Sequence, residues 1–179
     1  MQSWDVHKLV FIDESATYLN AQRDHAWSSQ GSRAYASKPY KSDKANLIAA
    51  LSLEGIQAPW LVTGGSVNGD TFASYVQHIL VPTLKPGQIV VLDNYSIHKG
   101  DTIRQAIEAA GCQLCFLPPY SPDFNPIEQA FSKLKESLKT LSTETFDQLS
   151  HAVKLALTHI TLADIIGWFK HAGYSARYL

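Results

Sequence analysis

The sequence predicts an α/β domain, a mixed sheet of about five strands flanked by helices. Three observations carry this. Apolar, β-rich runs open the chain at residues 8–12, 46–53 and 59–63. Two later runs, 88–92 and 112–117, alternate with segments of helical period. The 179 residues, 45% hydrophobic and 17% charged, suffice for one core and hardly for two.

The first strand ends at Asp13-Glu14. Residues 17–40 hold scattered aromatics and read as a hairpin-like excursion around Ser28–Ser32. Glu54-Gly55 marks a turn between the second and third strands. The period then changes, with Phe72, Tyr75, Val76, Ile79 and Leu80 spaced as on an amphipathic helix. Asn68 or Asp70 suits its cap, and Pro86-Gly87 ends it. QIVVL (residues 88–92) is a continuous apolar run, as in a strand buried on both faces. A helix over 101–110 packs through Ile103 and Ile107, with Gly111 at its C-terminal cap. After the strand at 112–117 comes a proline-rich turn, PPYSPDFNP. A helix from Pro126 to about Leu141 presents Ile127, Phe131, Leu134, Leu138 and Leu141 on one side. Two more helices close the chain. One uses Phe146, Leu149, Val153, Ala156 and Ile160; the other starts near Thr161, with Asp164 as capping-box partner, and buries Leu162, Ile165, Ile166 and Phe169.

No apolar run is long enough for a membrane helix, so no membrane partner is expected. The N-terminus has no signal-peptide pattern, and two cysteines cannot build a disulfide framework; both favour a cytoplasmic location. Fifteen basic against sixteen acidic residues give a net charge of −1, which argues against a domain that coats nucleic acid as a polycation.

Candidate chemistry lies with three acids. In open α/β sheets, ligands gather at the carboxyl ends of strands. Asp13 and Asp93 follow apolar runs there, where a carboxylate is costly unless paired or metal-bound. Glu128 falls in the first turn of a helix for which Asn125 suits the N-cap and Pro126 the first position. Such oxygen ligands suit Mg²⁺ or Mn²⁺, and a pair of these ions about 4 Å apart can promote phosphoryl transfer. The same residues also read as turn formers (Asp13, Asp93) and a helix-start acid (Glu128), and spacing alone does not bring them together.

FIDES (residues 11–15), LDNYSIHKG (92–100) and LPPYSPDFNPIEQAFSKLK (117–135), taken together, resemble the catalytic domain of mariner-type insertion-sequence transposases, DDE-superfamily endonucleases with a ribonuclease H-like fold. The 34 residues between Asp93 and Glu128 match that group's spacing. The resemblance extends to Arg23, Trp27 and Gly31 and to the ending WFKHAGY (168–174), and departs from the family at Phe131, where Trp is usual. It implies that Asp13, Asp93 and Glu128 are catalytic and hold two Mg²⁺ or Mn²⁺ ions. Those ions serve cleavage and strand transfer on double-stranded DNA, at transposon ends and at the target. It also implies a homodimer on DNA, associated with the bacterial nucleoid when bound. Family members carry helix-turn-helix segments ahead of the first catalytic strand, which here begins about eight residues in; the expectation is a single catalytic domain over 1–179, with that region absent or encoded upstream.

Asn94 and His98 belong to the second motif as supporting residues; His98 can orient a phosphate or a metal ligand, or cap a loop. Glu14, pointing to the opposite strand face from Asp13, is at best an outer neighbour of the site. Cys112 and Cys115 lack further zinc ligands and read as buried free thiols. Lys135 and Lys139 follow Glu128 at helical spacing and, with Lys99, are candidates to grip DNA phosphates; a solvated helix face is the alternative. The rival functional readings are an inactive transposase remnant or interaction module, and a ribonuclease H-like nuclease.

Overall fold

In a computed structural model of the chain, β1 (Leu9–Tyr18), β2 (Lys44–Ser52), β3 (Gly55–Thr63), β4 (Ile89–Leu92) and β5 (Gln113–Phe116) form one sheet ordered β3-β2-β1-β4-β5. The structure describes residues 5–21, 27–33, 35, 43–141 and 143–174. Both pairings among the first three strands are antiparallel, while β4 lies parallel to β1 and β5 parallel to β4. This is the mixed sheet the sequence predicts. Among the described residues, five α-helices flank it: α1 (Gly69–Tyr75), α2 (Asp101–Ala109), α3 (Ile127–Leu138), α4 (Phe146–Thr158) and α5 (Leu162–His171).

Alternation along β1 divides the core. Leu9 and Phe11 face a layer made by α3, α4 and α5, through Phe131, Leu134, Leu149, Ile165 and Phe169. Val10 and Ile12 face the other layer, made by α1, α2 and the turn that follows α1, through Phe72, Tyr75, Leu80, Ile103 and Ile107. Central strands covered on both sides read as unbroken apolar runs, which is why QIVVL carries no alternation.

Several expectations are corrected. β1 does not end at Asp13 but runs to Tyr18, pairing Asp13 with Ala49 of β2. The acids at its midpoint interrupt the hydrophobic pattern and not the ladder, because backbone pairing is indifferent to the side chain. β3 begins at Gly55 rather than Pro59. Its register against β2 shifts between Ile48 and Ala50, and Ala58 there has φ of 50°. Such a bulge on an edge strand accommodates Pro59, which has no N–H to donate. Asn68, not Asp70, caps α1, accepting from the Thr71 N–H at 2.8 Å. The helix then loosens into a π turn over Val76–Leu80.

Thr161 and Asp164 form the expected capping box of α5, but Leu162 is 60% exposed because the first turn faces solvent. The excursion keeps its turn, where the Ser28 hydroxyl donates to the Ser32 carbonyl at 2.7 Å. Arg23 lies outside the described residues. Among the described residues, no single helix is long and apolar enough to cross a membrane.

Candidate active site

Asp13 reaches the site from the middle of β1, Asp93 from the residue after β4, and Glu128 from the first turn of α3. Because β1 and β4 are parallel neighbours, Asp13 and Asp93 leave the same end of the sheet. α3 follows the proline-rich loop and packs over the Phe11 side, bringing Glu128 to that end. All three acids line one open cleft of about 370 Å³, together with Asn94, Tyr95, Asn125 and the loop residues 117–122.

Asp13 is the buried member. Its Oδ1 accepts the Glu14 N–H at 2.7 Å and its Oδ2 accepts from the Asn125 side-chain amide at 2.8 Å. Burial pushes its carboxyl up to about 8 against the pull of the Glu14 N–H, and the negative charges of Glu128, Glu14 and Asp93 push the same way. Asn125 is therefore not the helix cap expected from the sequence. Pro126 occupies the N-cap position without a side-chain bond, and the freed Asn125 amide turns inward to Asp13. The Asn125 Oδ1 is buried without a hydrogen-bond partner. Turning that amide by half a revolution would let Oδ1 accept a proton from a neutral Asp13.

A second set of contacts crosses the end of the sheet. His98, 1% exposed, sits on the α1 side against the ring of Phe72 at 4.3 Å. Its Nδ1 lies 2.5 Å from Asp93 Oδ1 and its Nε2 3.1 Å from both carboxylate oxygens of Glu14. Burial alone would lower His98, but the bonds to Asp93 and Glu14 outweigh it and raise the imidazole to about 9. Asp93 is lowered in turn: burial opposes its charge, and the hydrogen bonds from His98 and the Tyr95 N–H overcome that.

A histidine raised in the folded state gives stability that is complete below about pH 6.5 and lost as pH rises through about 9. His98→Ala should therefore lack this part of the parent's pH profile, measured by urea unfolding at pH 6 and pH 9.

Among the described residues, no group of three or more His, Cys, Asp or Glu side chains stands close enough to form a ready-made metal cage. The donor set still fits a hard divalent cation. It offers carboxylate oxygens only, and the gathering of Glu128, Glu14 and Asp93 around Asp13 is a concentration of negative charge of the kind a cation relieves. Glu128 and Lys135 are exposed, whereas Lys139 is half-buried and pairs with Glu136 at 2.8 Å. Lys99 is exposed beside the cleft and helps lower Asp93. Cys112 and Cys115 are free thiols, Cys112 buried just before β5.

Sequence reasoning missed Asn125 as a partner of Asp13, since a residue two before α3 reads first as a cap. It also undervalued Glu14, which His98 joins to Asp93.

A family described as DDE superfamily endonuclease matches residues 8–150, most of the chain. This chain is a DDE superfamily endonuclease domain. No curated protein sequence matches it. Its fold is the ribonuclease H-like fold of the Mos1 transposase catalytic domain. The structure of that catalytic domain superposes with a TM-score of 0.69 at 15% identity, covering 94% of this chain and 79% of that one. The mariner Mos1 paired end complex with Mg gives a TM-score of 0.77 at 18% identity, covering 94% of this chain and 53% of that one. A pre-cleavage Mos1 transpososome gives 0.75 at 16%, covering 94% and 54%. This DDE domain thus spans about half the length of the Mos1 chains in those complexes.

Proposed function

We propose that this DDE domain is the catalytic part of a mariner-type insertion-sequence transposase, acting on double-stranded DNA by divalent-metal-dependent strand cleavage and strand transfer. The observation that supports it most is the convergence of Asp13, Asp93 and Glu128, from three separate elements, on one open cleft. Mg²⁺ or Mn²⁺ ions held by these three acids would supply Lewis-acid stabilisation of the charge that builds up on the phosphodiester oxygens. The chain's own residues do the rest. Asn125 and the Glu14 N–H aim the Asp13 oxygens, and His98 holds one oxygen of Asp93, leaving the other for the cleft. The 2-proline wall at Pro118-Pro119 and the loop after it close one side of the cleft.

The reading is tested by nicking of supercoiled plasmid in Mg²⁺ or Mn²⁺, with and without chelator. Metal-dependent nicking by the parent supports it. No nicking on DNA that carries matching element ends would favour an inactive remnant.

Lys135, Lys139 and Lys99 are proposed to contact phosphates flanking the scissile bond. Lys135→Ala with Lys139→Ala should weaken DNA binding evenly across sequences and reduce the slope of log K against log salt by roughly one to two. A fluorescence-anisotropy titration at several salt concentrations reads this directly, and an unchanged slope removes the assignment. Dimerisation on paired DNA ends, and a helix-turn-helix region elsewhere in the full transposase, belong to the same proposal.

A further inference from the structure

The two adjacent acids of β1 leave the strand in opposite directions. Asp13 lies on the Phe11 side and lines the cleft, whereas Glu14 lies on the α1 side with Val10 and Ile12. That side is otherwise an apolar, aromatic wall. Phe72 and Tyr75 are fully buried there, their ring centroids 6.0 Å apart, and Trp60 stacks on Tyr75 at 6.2 Å. The Tyr75 hydroxyl is buried without a hydrogen-bond partner, and burial, then the charge of Glu14, push its pKa up. A Glu side chain only 17% exposed in such a setting is costly unless something holds it. His98 holds it, with Nε2 at 3.1 Å from both carboxylate oxygens.

A buried ion pair is a poor device for stability alone, since apolar side chains of similar volume often serve as well. Its value here is geometric. The His98 ring is fixed from three directions: by Glu14 at Nε2, by the Phe72 ring, and by Asp93 at Nδ1. The bonds from His98 Nδ1 and from the Tyr95 N–H, at 2.5 and 3.0 Å, both go to Oδ1 of Asp93. The carboxylate is thus gripped by its rear oxygen, and Oδ2 is left to the cleft. Asp93 follows the end of β4 and its side chain is 45% exposed, so little besides this grip sets its direction. Without Glu14, the imidazole keeps no polar anchor behind it.

We propose that Glu14 is a positioning residue: from the far face of the sheet, through His98, it sets the direction in which Asp93 presents Oδ2 to a divalent cation. Glu14 is not itself a ligand, although it adjoins Asp13 in the sequence. This rests on the reading of Asp93 as a metal ligand, and it adds a residue that reading leaves out. The requirement is one of reach and not of charge, because what matters is a polar group standing where Nε2 ends.

Two conservative replacements separate reach from charge. Glu14→Gln keeps the length, and its amide can accept from Nε2 or donate to it. Glu14→Asp keeps the charge but is one methylene short. The probe is Mn²⁺ alone, titrated by calorimetry into the full chain, with metal-free thermal melts to show that each protein is folded and plasmid nicking measured alongside. Glu14→Gln should bind Mn²⁺ nearly as the parent does. Glu14→Asp should bind it roughly 10- to 100-fold more weakly, the usual cost of losing a partner that orients a ligand. If both replacements are equally weak, or Glu14→Asp is the better binder, the carboxylate itself is what the ion needs and the positioning role is overturned. Equal Mn²⁺ affinity in all three proteins overturns it too, whatever their melting temperatures, and leaves metal-dependent nicking by the parent to stand. A parent that binds no Mn²⁺ and does not nick plasmid overturns the metal reading and this one together.

Discussion

Replacing Asp13 by asparagine should abolish metal-dependent DNA cleavage and, in the same protein, stabilise the metal-free chain. The two effects have one cause. Asp13 is 8% exposed and surrounded by the charges of Glu128, Glu14 and Asp93. Its carboxyl is raised to about 8, so the folded state resists its ionisation while the unfolded chain ionises freely above about 3.8. The stability of the metal-free parent therefore falls as pH rises from about 4 to about 8. Asparagine carries no charge to desolvate. Its carbonyl can keep the Glu14 N–H, and its amide can donate to Asn125 once the orphaned Oδ1 there turns toward it. Near neutral pH the gain should be on the order of 3 kcal/mol.

The loss of function is larger. In the proposed function Asp13 is a metal ligand; such a carboxylate supports several kcal/mol of transition-state stabilisation, and each 1.36 kcal/mol is ten-fold in rate, so cleavage should fall by about 10³-fold or more. Thermal melts with and without Mg²⁺ check the first effect: the ion should raise the melting temperature of the parent and leave Asp13→Asn unmoved. A variant that is less stable and still cuts would show that Asp13 is structural.

The second large effect lies further along the same face of β1, where Phe11 meets the helical layer. Phe169→Ala should cost about 3–5 kcal/mol, a large share of the 5–15 kcal/mol that holds a typical domain together. Phe169 is fully buried on α5 and meets Phe11 edge-on at 5.5 Å. It also packs against Tyr174 at 6.1 Å, and Tyr174 secures the proline-rich loop through the Phe124 carbonyl. The cavity left by the ring would thus loosen the loop that walls the cleft. Denaturant unfolding should show the lost stability. Cleavage should fall under conditions where the variant is still folded, whereas Leu162→Ala on the exposed turn of the same helix should change neither measurement.

Most of the fold was legible because it rests on periodicity. Apolar runs mark the strands and segments of period 3.6 mark the helices, and the apolar continuity of residues 88–92 marks β4 as covered on both faces. Strand ends were misread where chemistry outweighs the pattern. Asp13 and Glu14 break the apolar run of β1 without breaking its ladder, and Pro59 hides a bulge within β3. The acids themselves could be picked out by residue type and by the motifs that carry them. What could not be read was the link from Glu14 through His98 to Asp93, since its members are brought together only by the packing of α1 against the sheet. Asn125 was misjudged for a similar reason: local rules favour a cap, and a long-range partner took its amide instead.

The parallel pairing of β1 with β4 also governs when the site comes into being. Its partners, Leu9 with Ile89 through Phe11 with Val91, are separated by most of the first half of the chain. Closing so long a loop costs entropy before the contact returns anything, whereas the β2–β3 hairpin closes locally. A chain that has folded only its first three strands holds Asp13 without Asp93, and without α3 it lacks Glu128 as well. The capacity to cut is therefore a property of the finished fold, and a nascent or half-folded chain lacks the cleft even though it already carries the acids.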